Sequence, residues 1–179
     1  METFDLYDAQ RCPTGETMLR GTPTPPHRYR LVIHISIFNT QGQLLIQQRQ
    51  TFKDDWSNMW DLSVGGSVTS GETSQTGAER ELEEELGVIA DLQDTVPAAS
   101  IAFRGGFDDH YILIRDLDLS ELHLQYEEVQ AAKWASKEEI LSMIDDGRFI
   151  PYHKALIELL FFLRDHQGTH THGWQPPKT

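Results

Sequence analysis

The chain has 179 residues, 39% of them apolar, and a formal net charge of −13 from 15 basic and 28 acidic residues. This length and composition predict one globular domain, and the acidic balance argues against a surface for nucleic acids or anionic membranes. The single cysteine, Cys12, excludes a disulfide framework and a cysteine-based zinc site. The first residues lack the apolar segment of a signal peptide, so we expect a cytoplasmic protein.

The predicted elements begin with two hairpins. Short strands over Phe4–Tyr7 and Thr17–Arg20, with a turn at residues 14–15, form an N-terminal β-hairpin. Prolines make the segment 21–26 an extended connector. Further along the chain, Tyr29–Phe38 and Leu44–Gln48 flank a turn of Asn, Thr, Gln and Gly, which indicates a second hairpin.

Three helices are predicted in the rest of the chain. The first covers Thr73–Leu86, with Thr73 or Ser74 as its cap and Gly87 as its end. The second covers Ser136–Asp146 and opens with a capping box of Ser136 and Glu139. The third runs from Pro151, in its first turn, to about Arg164. The remaining predicted strands are Asp61–Val64, Ser100–Phe103, His110–Arg115 and Val129–Trp134.

Helices placed between strands in a β-rich chain predict an α/β (α+β) fold in which helices sandwich a mixed β-sheet. We expect a single domain over residues 1–165, with residues 1–28 as hairpin and connector. Residues 166–179 form a polar tail with two prolines, which we expect to be flexible. The tail histidines, His166, His170 and His172, are expected to bind metal only adventitiously.

The segment Glu79–Glu85 carries five glutamates. At roughly 100° per residue, Glu81, Glu84 and Glu85 share one helix face beside an apolar stripe, and Glu83 lies on the far side. The stripe consists of Ala78, Leu82 and Leu86.

Like charges at this spacing repel by roughly 0.2–0.5 kcal/mol per pair, and the negative helix C-terminus adds to the cost. Arg80 is the only basic residue nearby, and we expect no ion pair at four-residue spacing to offset the repulsion. Mg²⁺ or Mn²⁺, which prefer carboxylate oxygens, would offset it. Just upstream, Gly65 and Gly66 allow the backbone to approach a metal or phosphate closely.

The spacing of these residues resembles the Nudix box, G-x5-E-x7-R-E-U-x-E-E-x-G-U with U apolar. Every specified position matches: Gly66, Glu72, Arg80, Glu81, Leu82, Glu84, Glu85, Gly87 and Val88. The resemblance implies a Nudix fold over about Tyr29–Arg164. It also implies hydrolysis of a nucleoside diphosphate linked to another moiety, by water attack on phosphorus with Mg²⁺ or Mn²⁺ as cofactor.

The resemblance also implies roles for individual residues. Glu81, Glu84 and Glu85 are expected to be metal ligands and catalytic residues, with Glu81 able to act as base, and the Gly65 carbonyl is a further candidate ligand. Glu72 and Arg80, with Gly66 and Gly87, are expected to be structural, the first two pairing between loop and helix. Many Nudix proteins use another acid after the box. Here Glu128 is preferred over Glu127, and weaker candidates are Glu121, Asp108 and Asp109.

A second resemblance is to type I isopentenyl diphosphate isomerases and their hydrolase relatives. It rests on the N-terminal hairpin, the segment His34–Asn39, the following Gly42–Arg49 and the pair Trp56 and Trp60. The isomerases, however, need a cysteine in the segment after Trp60, where this chain reads Asp-Leu-Ser-Val-Gly-Gly-Ser. Two alternatives to the hydrolase remain. One is an isomerase-like enzyme, against which this missing cysteine argues, and the other is a catalytically inactive Nudix binding module.

Other residues are candidates for substrate contact. Arg30, Arg49 and Arg104 lie at strand ends, where a guanidinium can reach a phosphate. Glu127 is a further candidate for substrate contact. Aromatic residues that could stack on a base, or else belong to the core, are Phe103, Phe107, Tyr111 and Trp134. His34 is expected to be a partly buried histidine with its hydrogen bonds satisfied. We expect a small-molecule diphosphate as partner, with no nucleic acid or membrane, and a homodimer is possible.

Overall fold

The computed structural model describes residues 2–166 and residue 168 of the chain. Most of the predicted polar tail, including His170 and His172, lies outside these residues. Within them the strands are β1 (Thr3–Tyr7), β2 (Pro13–Leu19), β3 (Arg30–Phe38), β4 (Leu44–Arg49), β5 (Trp60–Asp61), β6 (Val64–Ser67), β7 (Ala99–Phe103), β8 (Gly106–Ile114) and β9 (Val129–Ala135). The helices are α1 (Ser74–Leu86), α2 (Lys137–Asp145) and α3 (Lys154–Asp165), with a 3-10 turn at Leu119–Glu121.

The N-terminal hairpin is present, but its turn lies elsewhere than predicted. β1 and β2 pair antiparallel, and Thr14 and Gly15 are part of β2. The turn spans Asp8 to Cys12, because the Asp8 carboxylate accepts hydrogen bonds from the backbone N–H groups of Gln10 and Cys12 at 2.9 Å each. Cys12 is therefore an exposed turn residue.

The main sheet is mixed, with β3 at its centre. β3 runs parallel to β8 along its whole length, from Arg30 opposite Gly106 to Phe38 opposite Ile114. The predicted second hairpin is only partly correct, since β3 pairs with β4 at a single position. The reason is competition for the strand edge: β6 pairs antiparallel with β3. β4 pairs instead with β5 and β9.

Alternation along β3 buries residues on both faces of the sheet. Ile33 and Ile35 pack toward α1, together with Leu82 of that helix. Phe38 packs on the opposite face with Ile140 of α2 and Ile157 of α3. The predicted sandwich of a mixed sheet between helices is thus confirmed.

The sequence predicts some ends of the three helices correctly and others not. α1 is capped by Thr73 and ends at Gly87, whose φ of 68° is the left-handed conformation that glycine adopts readily. Ser136 caps α2 as predicted. The third helix begins at Lys154, later than predicted, because Ile150 N–H bonds to the Trp60 carbonyl at 2.8 Å and keeps the chain extended before Pro151. None of the helices in the described part of the chain is long and apolar enough to cross a bilayer.

A buried carboxylate joins the hairpin to the main fold. Asp109 on β8 is 1% exposed and accepts hydrogen bonds from Arg11 at 2.7 Å, from Ser74 at 2.7 Å and from Ser100. Burial alone would raise its pKa, but these hydrogen bonds outweigh burial and hold the pKa of Asp109 below its ordinary value. Asp109 therefore stabilises the contact between the turn of the hairpin, the sheet and the start of α1.

We expect Asp109→Asn to lower the free energy of unfolding at neutral pH by about 2–3 kcal/mol, because Arg11 loses its charged partner. A lowered folded-state pKa gives stability that is present above about pH 4 and lost as pH falls through the folded pKa. Urea unfolding against pH should thus show a smaller difference between variant and wild type in acid. Asp94→Asn, at an exposed aspartate, is the control; a difference independent of pH would contradict this account.

Candidate active site

A cleft of about 950 Å³ opens between the N-terminal hairpin, β6 and α1. It brings together most of the residues proposed from the sequence. Those that line it are Gly65, Gly66, Arg80, Glu81, Glu84, Glu85, Glu128, Arg30 and Arg49. Residues from the loops before β5 and β9 complete its rim.

Arg80 connects the carboxylates of this cleft. Its Nε and Nη2 donate to Glu72 at 2.7 and 3.0 Å, and Nη2 also donates to the Ser67 carbonyl at 3.1 Å. Its Nη1 lies 3.0 Å from Glu81 and 3.1 Å from Glu84. The pair of Arg80 with Glu72 is the one expected from the sequence. The expectation that no ion pair at four-residue spacing relieves the repulsion is wrong, because Arg80 precedes Glu84 by four residues.

Glu81 lies against the strand that carries the two glycines. A Cβ at Gly66 would overlap the Glu81 carboxylate, so only glycine at this position leaves room for that side chain. Burial raises the pKa of Glu81 above its ordinary value, and Arg80 opposes only part of the shift. The carboxylate is thus held close to the backbone of β6 at the floor of the cleft.

Glu85 is almost completely buried, with 4% of its surface exposed. Burial, followed by the charges of Glu81, Asp61 and Glu128, raises its pKa well above the ordinary value. Gln47 on β4 donates to Glu85 at 2.9 Å, and the Gln47 amide oxygen is itself buried with no hydrogen-bond partner among the described residues. Gln47 was not identified from the sequence, although its position directly after the apolar run Leu44–Ile46 was the available signal.

These donors fit a hard divalent cation. Glu81, Glu84 and Glu85 offer only oxygen ligands, and the space that a Gly66 side chain would fill belongs to one of them. Burial raises the pKa of both Glu81 and Glu85, because neighbouring protein groups do not fully replace the water lost from their carboxylates. A divalent cation would supply positive charge at this position.

Beyond the box, the structure separates the candidate acids. Glu128 lines the cleft and forms an ion pair with Lys53, whose Nζ lies 2.7 Å from its Oε1. Glu127 and Glu121 are exposed and are not brought to the cleft. Asp108 and Asp109 on β8 are likewise not among its lining residues, because Asp108 faces His34 and His110 and Asp109 faces Arg11.

Basic side chains line the same cleft. Arg30 donates to Ser67 Oγ at 2.9 Å and lies over the rings of Phe4 and Phe103. Burial of the Arg30 guanidinium, and the positive charge of Arg20, lower the pKa of Arg30. Arg49 also lines the cleft, whereas Arg104 is exposed in the turn between β7 and β8 and does not.

Arg20 at the end of the hairpin was missed from the sequence as a site residue. It lines the cleft and pairs with Glu2 at 2.6 Å. The hairpin itself was the available signal, since β1 and β2 bring Phe4, Met18 and Arg20 to one wall of the cleft. By contrast, Phe107, Tyr111 and Trp134 pack in or against the core.

The sequence model of the NUDIX domain matches residues 28–160, which is well over half of the chain. The chain belongs to the Nudix hydrolase family. It is 46% identical to an uncharacterised Nudix hydrolase from Listeria monocytogenes over 170 residues, which is 95% of this chain and 99% of the relative. Isopentenyl-diphosphate Delta-isomerase from Escherichia coli is 29% identical over 78% of this Nudix chain and 80% of its own length.

A solved structure agrees with the fold. The crystal structure of a protein from Deinococcus radiodurans, DR0079, superposes with a TM-score of 0.69 at 28% identity. The match covers 92% of this chain and 98% of that protein. A match of this extent must include part of the N-terminal region that precedes the matched NUDIX domain.

Gly66→Ala tests the close contact between β6 and α1. The added methyl group displaces the Glu81 carboxylate, so we expect a loss of about 1–3 kcal/mol in stability and a smaller rise in Tm on adding Mg²⁺. In the double variant with Glu81→Ala, stability should recover because the overlap is gone, while the response to Mg²⁺ should not. Wild-type stability and Mg²⁺ response in Gly66→Ala would contradict the assigned contact. Thermal unfolding with and without Mg²⁺ measures both.

Proposed function

We propose that this protein hydrolyses the diphosphate bond of a nucleoside diphosphate linked to another moiety, with Mg²⁺ or Mn²⁺ as cofactor. The observation that carries the proposal is the shared cleft of the three box glutamates, Glu128 and several basic side chains. Acidic ligands for a cation and cationic groups for phosphate oxygens are both needed for a diphosphate, and both line the same space.

The proposed roles follow from the surroundings of each residue. Glu81, Glu84 and Glu85 would hold the cation, with the Gly65 carbonyl as a further ligand. The bound cation would neutralise charge on the diphosphate and lower the pKa of a water molecule. Arg30 and Arg49 would bind phosphate oxygens, and Arg20 and Lys53 are added to this group because they line the same cleft. Arg80 acts as a positioning residue that keeps Glu81 and Glu84 in place.

Glu128 is our candidate for the general base. Its carboxylate reaches the cleft from the loop before β9, and it contributes to raising the pKa of Glu85, so the two acids lie on one site. Its ion pair with Lys53 keeps it oriented into the cleft at 2.7 Å. An anionic substrate that draws Lys53 toward its phosphates would release the Glu128 carboxylate to accept a proton from water.

The isomerase alternative receives no support from the chemistry of the cleft. The isomerase reaction needs a cysteine acid/base, and the only cysteine of the chain is Cys12, in an exposed turn of the hairpin that does not line the cleft. Residues 61–67, where the isomerase family carries its cysteine, contain none.

We further propose that residues 1–165 function as one domain, because the hairpin supplies part of the cleft wall.

Replacing the box glutamates tests the proposed hydrolysis. We expect Glu81→Gln and Glu84→Gln each to lower kcat by at least about a hundredfold on whichever diphosphate is cleaved in a broad Mg²⁺-containing panel. Glu83→Gln is the matched control, because Glu83 is exposed on the same helix and does not line the cleft. Losses below about threefold in both test variants would refute the ligand assignment. No release from any diphosphate would favour the binding module.

The adjacent pair Glu128 and Glu127 tests the general base. Glu128→Gln should lower kcat by about 10²–10⁴, because no carboxylate at this position then accepts the proton from water. Glu127→Gln, at the exposed neighbour, should retain the wild-type rate. If Glu128→Gln retains the wild-type kcat, the base is another group, with Glu81 the next candidate.

A further inference from the structure

A second group of polar side chains lies on the face of the sheet opposite α1. His34 on β3 is opposite His110 on the parallel strand β8, and their rings stack at 5.2 Å between centroids. Asp108 precedes His110 by two residues and so points to the same face. The side chains are 14%, 1% and 19% exposed for His34, His110 and Asp108 respectively. None of the three lines the cleft.

The directions of its hydrogen bonds determine that His34 is protonated on Nε2. Tyr152 has one hydroxyl proton, kept in place because burial and Asp61 raise its pKa well above the ordinary value. The hydroxyl lies 2.8 Å from Asp61, an acceptor, and 3.2 Å from His34 Nε2. Since the hydroxyl donates to Asp61, His34 Nε2 must carry a proton and donate to the hydroxyl oxygen.

The other ring nitrogen of His34, Nδ1, then needs a proton or a metal ion between it and its neighbour. In a neutral ring protonated at Nε2, Nδ1 is a lone pair, and it lies 2.8 Å from Asp108 Oδ1, which is also an acceptor. Two acceptors at this distance repel unless a proton or a metal ion lies between them. His110 Nε2 faces the second oxygen of the same carboxylate at 3.3 Å. Three potential ligands therefore converge.

We propose that His34, Asp108 and His110 form a binding site for a divalent transition metal ion of the zinc type, separate from the cation site of the cleft. One ligand atom from each residue lies within 4.8 Å of the other two. Tetrahedral zinc with bonds of about 2.0–2.1 Å places its ligands about 3.4 Å apart, so small side-chain shifts suffice. Two imidazoles and one carboxylate favour zinc, cobalt or iron over Mg²⁺.

The surrounding residues support ligation by His34. A metal-bound histidine usually donates its other ring N–H to a hydrogen-bonded partner that fixes its orientation, and Tyr152 with Asp61 provides that partner. Parallel pairing of β3 with β8 holds both imidazoles on rigid backbone. The His34 ring also lies against Gly65, 2.8 Å from where a Cβ would be, so the metal would brace the strand behind the cleft.

The test is a cobalt titration of untagged, full-length protein stripped of metal. The cleft and tail sites are disabled by the substitutions Glu81→Gln, Glu84→Gln, His166→Asn, His170→Asn and His172→Asn. We expect one equivalent of Co²⁺ to bind, with the intense visible absorption of a four- or five-coordinate site, and zinc to displace it. Asp108→Asn should weaken binding at least tenfold, and Tyr152→Phe should weaken it by about 10–100-fold because the orienting partner is lost.

Two results of this titration would overturn the proposal. One is the absence of stoichiometric Co²⁺ binding in the protein with disabled cleft and tail sites, and the other is equal binding by Asp108→Asn. A measurement without ligand variants guards against misfolding of the Asp108 variant: nitrogen-15 NMR of the histidine rings during zinc addition. Zinc should shift the His34 Nδ1 and His110 Nε2 resonances. If both nitrogens of His34 stay protonated in excess zinc, a proton rather than a metal bridges His34 and Asp108.

Discussion

The geometry of the cleft depends on the contacts of the Arg80 guanidinium. It joins the end of β6, the loop before α1 and the glutamates of α1 through hydrogen bonds to Ser67, Glu72 and Glu84 and an ion pair with Glu81. Hydrogen bonds to a partly buried charged group, as between Arg80 and Glu72, contribute about 1.5–3 kcal/mol each, and exposed pairs at four-residue spacing, as between Arg80 and Glu84, about 0.3–0.5 kcal/mol. Together these contributions exceed the repulsion of neighbouring glutamates on a helix. The acidic residues can therefore lie on one face of α1 before any cation binds.

The second constraint is charge. The protein carries a formal net charge of −13, yet the proposed substrate is an anion. The cleft reconciles these facts locally, since basic residues from the hairpin, β3 and the loop after β4 meet the glutamates there. Several are paired with resident carboxylates, as Arg20 is with Glu2 and Lys53 with Glu128. A substrate phosphate would replace those carboxylates as the partner of the basic residues, so substrate binding would release Glu2 and Glu128.

The sequence predicted what local chemistry determines. The cap and the terminal glycine placed α1, and the spacing of the box put Glu81, Glu84 and Glu85 on one face. The contributions of Arg20 and Gln47 depend on packing between distant segments, which periodicity does not report. The parallel pairing of β3 with β8 joins positions 76 residues apart, and His34 and His110 are neighbours only because of it.

The most direct test of the central claim is the reaction in water enriched in oxygen-18, followed by chromatographic separation and mass spectrometry of all products. Nucleoside diphosphate derivatives and isopentenyl diphosphate are supplied separately with Mg²⁺. Our account predicts cleavage of a nucleoside diphosphate derivative with one labelled oxygen in a phosphate product, because water attacks phosphorus. Conversion of isopentenyl diphosphate without a change in mass, and without cleavage of any nucleotide, would contradict it.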